Sequence, residues 1–206
     1  MPIVKTDGSV LTYQDTVAVI YYKNYTLYEF EEVKNFFTDT ILEKKTIENR
    51  YLLQYKKEIY GYYYDSIDAQ EGKRIRVDSL LRKRAGYGQS LYLPAKMVLI
   101  NSQKNKGEYE LIEKYKCKVK KDFTYPDTLI VYYTNKLKHV DFTLSNILDS
   151  VKKIKVQKTR VLFNPQFIGD YPKKYPAYEF NRELKEDTIA NLEKYKRFID
   201  EKRKNR

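Results

Sequence analysis

The chain has 206 residues, of which 42% are hydrophobic and 33% charged; that balance supports a packed core and excludes wholesale disorder. Forty Lys and Arg against 28 Asp and Glu leave a formal charge of +12. A single Cys and a single His exclude a disulfide-stapled scaffold and a four-ligand structural zinc site.

At this length one domain spanning 1–206 is the expected organisation, with a core over about 10–164 and a C-terminal loop and helix over 165–206. Asp7-Gly8 reads as a hairpin turn between short β-leaning stretches. Residues 16–23 (TVAVIYYK) are β-branched or aromatic at both parities, which predicts an interior strand ended by Asn24. Thr26 and Glu29 have capping-box spacing ahead of Phe30, Val33, Phe37 and Ile41, which predicts a helix over about 27–45. Residues 50–57 and 58–67 are Tyr-rich and extended, and 68–73 (DAQEGK) form a polar turn. Residues 74–77 continue a strand, and 79–83 form a short helix closed by Gly86.

Residues 91–100 are expected as a strand, 101–108 as a turn, 109–120 as a long strand and 122–127 as a loop. The apolar run 129–134 reads as a buried strand. Thr143 or Ser145 caps a helix carrying Leu144, Ile147, Leu148 and Val151, and 157–163 return as a strand. Residues 164–176 are a loop, and Ile189, Leu192, Tyr195 and Ile199 mark a last helix ending in a solvated tail, 201–206. This order predicts an α/β or α+β fold: a mixed β-sheet flanked by helices, with a long C-terminal helix.

The N-terminus lacks the apolar segment of a signal peptide. The run nearest to a membrane span, 91–100, is interrupted by Pro94 and Lys96. A soluble, cytoplasmic protein is expected. Twenty-two Tyr, no Trp and abundant Lys resemble thermophile composition. The mixture also resembles that of proteins from viruses of hot-spring archaea, which would place the chain in a host cell's cytoplasm.

The strand 109–120 carries the most information about function. Its period of two puts Tyr109, Leu111, Glu113, Tyr115, Cys117 and Val119 on one face. Ile112 then Lys114, Lys116, Lys118 and Lys120 lie on the other. Ammonium groups in register repel one another, so folding alone supplies no reason for the stripe. Same-face residues stand ~6.7 Å apart, about two phosphate steps along one strand of B-DNA. An edge strand guarded against aggregation would also carry lysines, so both readings stand. Arg82, Lys83 and Arg84, followed by Tyr87, form a second candidate surface, with guanidinium for phosphate and a ring for stacking.

Glu113 points with Leu111 and Tyr115 toward the apolar side, where an unpaired carboxylate is costly. Either it has a partner at the sheet margin, or it is kept to hold a cation such as Mg²⁺. Asp65, Asp68, Glu71 and Lys73 form another acidic-basic group, either a site or a solvated turn.

The runs 84–90 (RAGYGQS), 94–98 (PAKMV) and 111–116 (LIEKYK) resemble the core of restriction-endonuclease-like nucleases, most closely the archaeal Holliday-junction resolvase branch. The resemblance covers about 82–164 plus the first predicted helix. It implies a mixed sheet flanked by helices and a metal-dependent nuclease, with Glu113 as ligand and Glu29, Glu31 or Glu32 contributing from the first helix. Lys96 stands where that family has its metal Asp, and Tyr115 where it has its catalytic Lys.

The expected function is therefore nucleic-acid binding through Arg82, Lys83, Arg84, Tyr87, Lys114, Lys116, Lys118 and Lys120, with DNA ahead of RNA, no membrane partner and a homodimer as the assembly to test. The alternative is a nuclease using Mg²⁺ or Mn²⁺, with Glu113, Asp65 and Asp68 in catalysis and Glu113 and Glu32 on the metal. A third reading is a structural or inhibitory protein whose basic face meets an acidic partner. No cofactor is expected outside the nuclease reading.

Overall fold

The computed structural model describes residues 3–4, 10–11, 16–38, 41–85, 97–118, 126–165 and 176–204; the side chains of 33–46 lie outside that description. The chain falls into two compact units. Unit 1 comprises 1–13 and 87–186; unit 2 comprises 14–86 and 187–206.

Unit 2 is built on a five-stranded sheet in sequential order, each neighbour antiparallel: β3 (Val17–Tyr22), β4 (Tyr25–Thr38), β5 (Ile41–Tyr55), β6 (Tyr60–Tyr64) and β7 (Lys73–Arg76). Helix α1 (Val77–Ala85) follows directly, and the C-terminal helix α3 (Leu192–Lys204) completes the unit. One face of the sheet packs Ile20, Leu27, Tyr51, Leu53 and Tyr64 against Phe198 and Ile199 of α3. On the other, Leu52 and the glycine position 61 meet Val77 of α1, whose Leu80 and Leu81 are also buried. At Gly61 an added Cβ would stand 2.7 Å from the Leu53 carbonyl oxygen and 3.0 Å from Val77 Cγ2, so only glycine fits.

Two expectations are corrected here. The helix over 27–45 is instead the β4–β5 hairpin, paired from Tyr25↔Tyr55 to Thr38↔Ile41 with an irregularity at Phe36/Phe37. Tyr25, Thr26, Leu27 and Tyr28 are all buried: both parities pack, because a helix lies on each face of the sheet, and the resulting apolar run mimics helical spacing. Residues 16–23 form an edge strand, not an interior one; β3 pairs only with β4. Ala18, Ile20 and Tyr22 pack into the core on one face, whereas Tyr21 on the other is exposed.

Unit 1 carries a second antiparallel five-stranded sheet: β8 (Met97–Lys106), β9 (Tyr109–Cys117), β10 (Thr128–Thr134), β11 (Lys155–Phe163) and β12 (Tyr178–Glu183), again in sequential order. Strands β1 (Ile3–Val4) and β2 (Val10–Leu11) pair antiparallel in the same unit, and the Asp7-Gly8 turn lies outside the described residues. The turn expected over 101–108 shrinks to Gly107-Glu108, with Gly107 at φ 65°, and Asn101 to Lys106 extend β8. Strand β12 was not anticipated, and residues 86–96, 119–125 and 166–175 lie outside the described residues.

Between β10 and β11 sits α2 (Asn146–Lys152), capped by Ser145, whose hydroxyl accepts from the Leu148 amide at 3.4 Å. Asp149 ties this helix down, accepting from Thr143 Oγ1 at 2.6 Å and from the Val156 amide at 2.7 Å. Leu148 is buried, whereas Ile147 and Val151 face outward. Both sheets are thus purely antiparallel rather than mixed, and strand dominates over helix. No described helix is long and apolar enough to cross a membrane.

Candidate nucleic-acid interface

In unit 1 the side chains sort onto two faces, with the parity of β11 reversing at the irregularity opposite Tyr132/Tyr133. The inner face carries Leu111, Glu113 and Tyr115 of β9, Leu129, Val131 and Tyr133 of β10, and Val156 and Thr159 of β11, all buried. The outer face carries Ile112, Lys114 and Lys116, then Thr128, Ile130 and Tyr132, then Lys158, Arg160 and Leu162; every one is at least partly exposed.

Register fixes three rows across this outer face. Val98, Lys116, Thr128, Leu162 and Glu179 stand side by side, then Asn101, Lys114, Ile130, Arg160 and Asn181, then Gln103, Ile112, Tyr132, Lys158 and Glu183. Charge is distributed unevenly over them. Arg160 makes a two-pronged pair with Glu179 at 2.9 and 2.8 Å, and Lys158 lies 3.5 Å from Glu183. The Arg160 guanidinium is held above its usual range by the Glu179 carboxylate and by the Tyr132 hydroxyl. Lys114 and Lys116 of β9, and Lys118 just past its end, are exposed and have no carboxylate partner among the described residues. The positive field of this face therefore centres on β9.

That placement answers one question left open by the sequence. β9 is flanked by β8 and β10, so its lysines do not guard a sheet edge. Lys120 lies outside the described residues, as does Tyr87.

Glu113 stands on the opposite face of the same strand and is 2% exposed. Lys152 of α2 reaches it at 2.6 Å on one oxygen, while the Tyr133 hydroxyl donates to the other at 2.9 Å, joined by the Tyr115 hydroxyl. Burial alone would push this carboxyl up; the Lys152 ammonium and the two phenols outweigh it and hold it below its usual value. Burial, with the adjoining carboxylate, raises both phenols. Three donors meet the two carboxylate oxygens, which favours the partnered-carboxylate reading of Glu113.

The remaining proposed acids stand in unit 2. Glu32 accepts from Arg50 Nε at 3.0 Å and from Arg84 at 3.4 Å, and the Arg50 hydrogen bond holds its carboxyl below the usual range. Asp65 is exposed and lies 3.6 Å from Arg50; Asp68 is exposed in the turn that follows β6. Glu29, expected at a helix start, sits on β4 and accepts from Tyr51 at 2.9 Å, Tyr195 at 2.7 Å and Asn49 at 2.8 Å. Among the described residues no group of three His, Cys, Asp or Glu could hold a metal ion.

On α1 of unit 2, Arg82 and Lys83 project outward, whereas Arg84 is engaged by Glu32. Nearby in the chain, the Arg74 guanidinium lies 4.4 Å from the Tyr60 ring centroid, a cation–π contact sequence reading missed. It also missed Tyr132, whose ring lies 4.9 Å from that of Tyr109 and 5.9 Å from the Lys158 ammonium. An alternating strand shows that Tyr132 faces away from Tyr133, but not which lysines stand beside it.

Comparison with protein-family models, curated proteins and solved structures finds no match to this chain.

Proposed function

We propose that this chain binds nucleic acid through the outer face of the unit 1 sheet, with phosphates on Lys114, Lys116 and Lys118. The observation that carries the reading is their contrast with Lys158 and Arg160. Cations of the same face two strands away are neutralised by Glu183 and Glu179, and those of β9 have no acidic partner among the described residues. A row of unneutralised ammonium groups on an interior strand opposes folding and suits a polyanion. Arg82 and Lys83 on α1 are carried as a second basic surface, described within unit 2 alone. DNA is the first ligand to test and RNA the second.

Fluorescence anisotropy with labelled DNA and RNA over a range of salt is the test. Affinity should fall steeply with salt. The triple variant Lys114→Gln, Lys116→Gln, Lys118→Gln should flatten the slope of log affinity against log salt by about 2 to 3. An unchanged slope in that variant, or a flat slope in the parent, overturns the reading.

The nuclease alternative gains no observation, since Glu113 is occupied by Lys152 and two phenols. Incubating the same labelled substrates with Mn²⁺ tests it, and product that Glu113→Gln abolishes would establish it.

A further inference from the structure

We infer that the ligand of this face is unpaired nucleic acid, its phosphates running along β9 and a base lying against the Tyr132 ring; this rests on the nucleic-acid reading above. Five strands at about 4.8 Å spacing make a surface of roughly 19 Å, which cannot enter a major groove about 12 Å wide. A duplex could therefore touch this face only with its phosphate ridges.

Apolar and ring side chains lie between the cations. Ile130 separates Lys114 from Arg160, and Thr128 with Leu162 continue the row from Lys116. Tyr132 sits directly opposite Ile112 on the β9 side and Lys158 on the β11 side. These apolar and ring side chains are partly exposed. Against a duplex ridge they would strip water from phosphates and return nothing. Against an unpaired strand they meet bases, each with a face to stack.

Tyr132 is held in place by its neighbours. Tyr109 contacts its ring at a tilt of 54°, and its hydroxyl interacts with the Arg160 guanidinium. A ring fixed by neighbours loses little conformational freedom when a base arrives. The lysine spacing of ~6.7 Å along a strand is about twice the ~3.4 Å rise per phosphate, so alternate phosphates of one nucleic-acid strand can reach successive lysines.

The test compares a labelled 20-nucleotide oligo(dT), the same length of oligo(U), a matched duplex and polyglutamate, each with the full chain. The single strands should bind about tenfold or more tightly than the duplex. Tyr132→Ala should weaken them by roughly tenfold, the loss of one stack, while leaving duplex affinity and the salt slope unchanged. Tyr132→Phe should retain single-strand binding. Tyr132→Leu serves in place of Tyr132→Ala if the latter fails to fold, with the same loss expected. Equal affinity for duplex and single strand, or indifference to Tyr132→Ala, overturns this inference and leaves the nucleic-acid reading standing. Tighter binding of polyglutamate than of every nucleic acid overturns both, in favour of an acidic protein partner.

Discussion

Glu113 illustrates how one side chain decides between chemistry and architecture. With Lys152 on one oxygen and two phenols on the other, removing the charge strands a half-buried ammonium and weakens two buried hydroxyls. Glu113→Gln should therefore cost about 2–4 kcal/mol at neutral pH, read as a lower urea midpoint. The pH dependence has a definite sign. A carboxyl held below its unfolded value contributes stability that is present at neutral pH and lost as pH falls through its folded value. The gap between parent and variant should narrow as pH falls below the ordinary Glu value of about 4.3; a gap that stays constant into acid would mean that the charge contributes nothing. Gly61 is the matching steric case. A methyl there meets a backbone carbonyl at 2.7 Å, so Gly61→Ala should destabilise by about 1–3 kcal/mol in the same assay.

At the scale of elements, strands with one parity buried were legible from the sequence, and those buried on both faces were misleading. β9 alternates apolar with polar or cationic residues, because only its inner face is buried, and β10 shows as a short apolar run. β4 is buried at both parities over Tyr25–Tyr28, and Phe30, Val33 and Phe37 fall on a helical period in the sequence alone. The Glu29 that resembled a capping residue serves Tyr51 and Tyr195 across the fold, a long-range role no local pattern carries. Likewise the tail expected from Glu201 continues α3, where Lys202 is buried with its ammonium 5.6 Å from the Tyr64 and Phe198 ring centroids. The apolar stripe of α2 was over-read, since Ile147 and Val151 face outward. Truncation should separate the two helices. Phe198→Ala in α3 should cost about 3–5 kcal/mol, and Val151→Ala in α2 should stay within about 0.5 kcal/mol, both by denaturant unfolding. Comparable losses at the two sites would contradict this assignment of faces. The candidate site was half legible: parity placed the lysines on one face, and pairing alone put Tyr132 beside them and acids beside Lys158 and Arg160.

For the molecule as a whole, the surplus of +12 sets stability against function. Lys114 and Lys116 stand ~6.7 Å apart on one strand, well inside a Debye length of about 30 Å at 0.01 M salt and still inside about 8 Å at 0.15 M. Their repulsion must be overcome every time the chain folds, and no described acid relieves it. If the stripe is kept for a ligand, removing it should loosen binding and tighten the fold together. The variant Lys114→Gln, Lys116→Gln should melt a few degrees above the parent at 0.01 M salt, since about 1 kcal/mol corresponds to roughly 2–8 °C for domains of this size range. The two melting curves should converge near 0.5 M, where screening has removed the repulsion from the parent as well. A variant that melts lower at 0.01 M salt would show that the lysines support the sheet, through their methylene stems against Ile130 or by another contact. Their retention would then need no polyanion to explain it. The opposite shifts of melting temperature and affinity in one variant are what separate a surface kept for binding from one kept for folding.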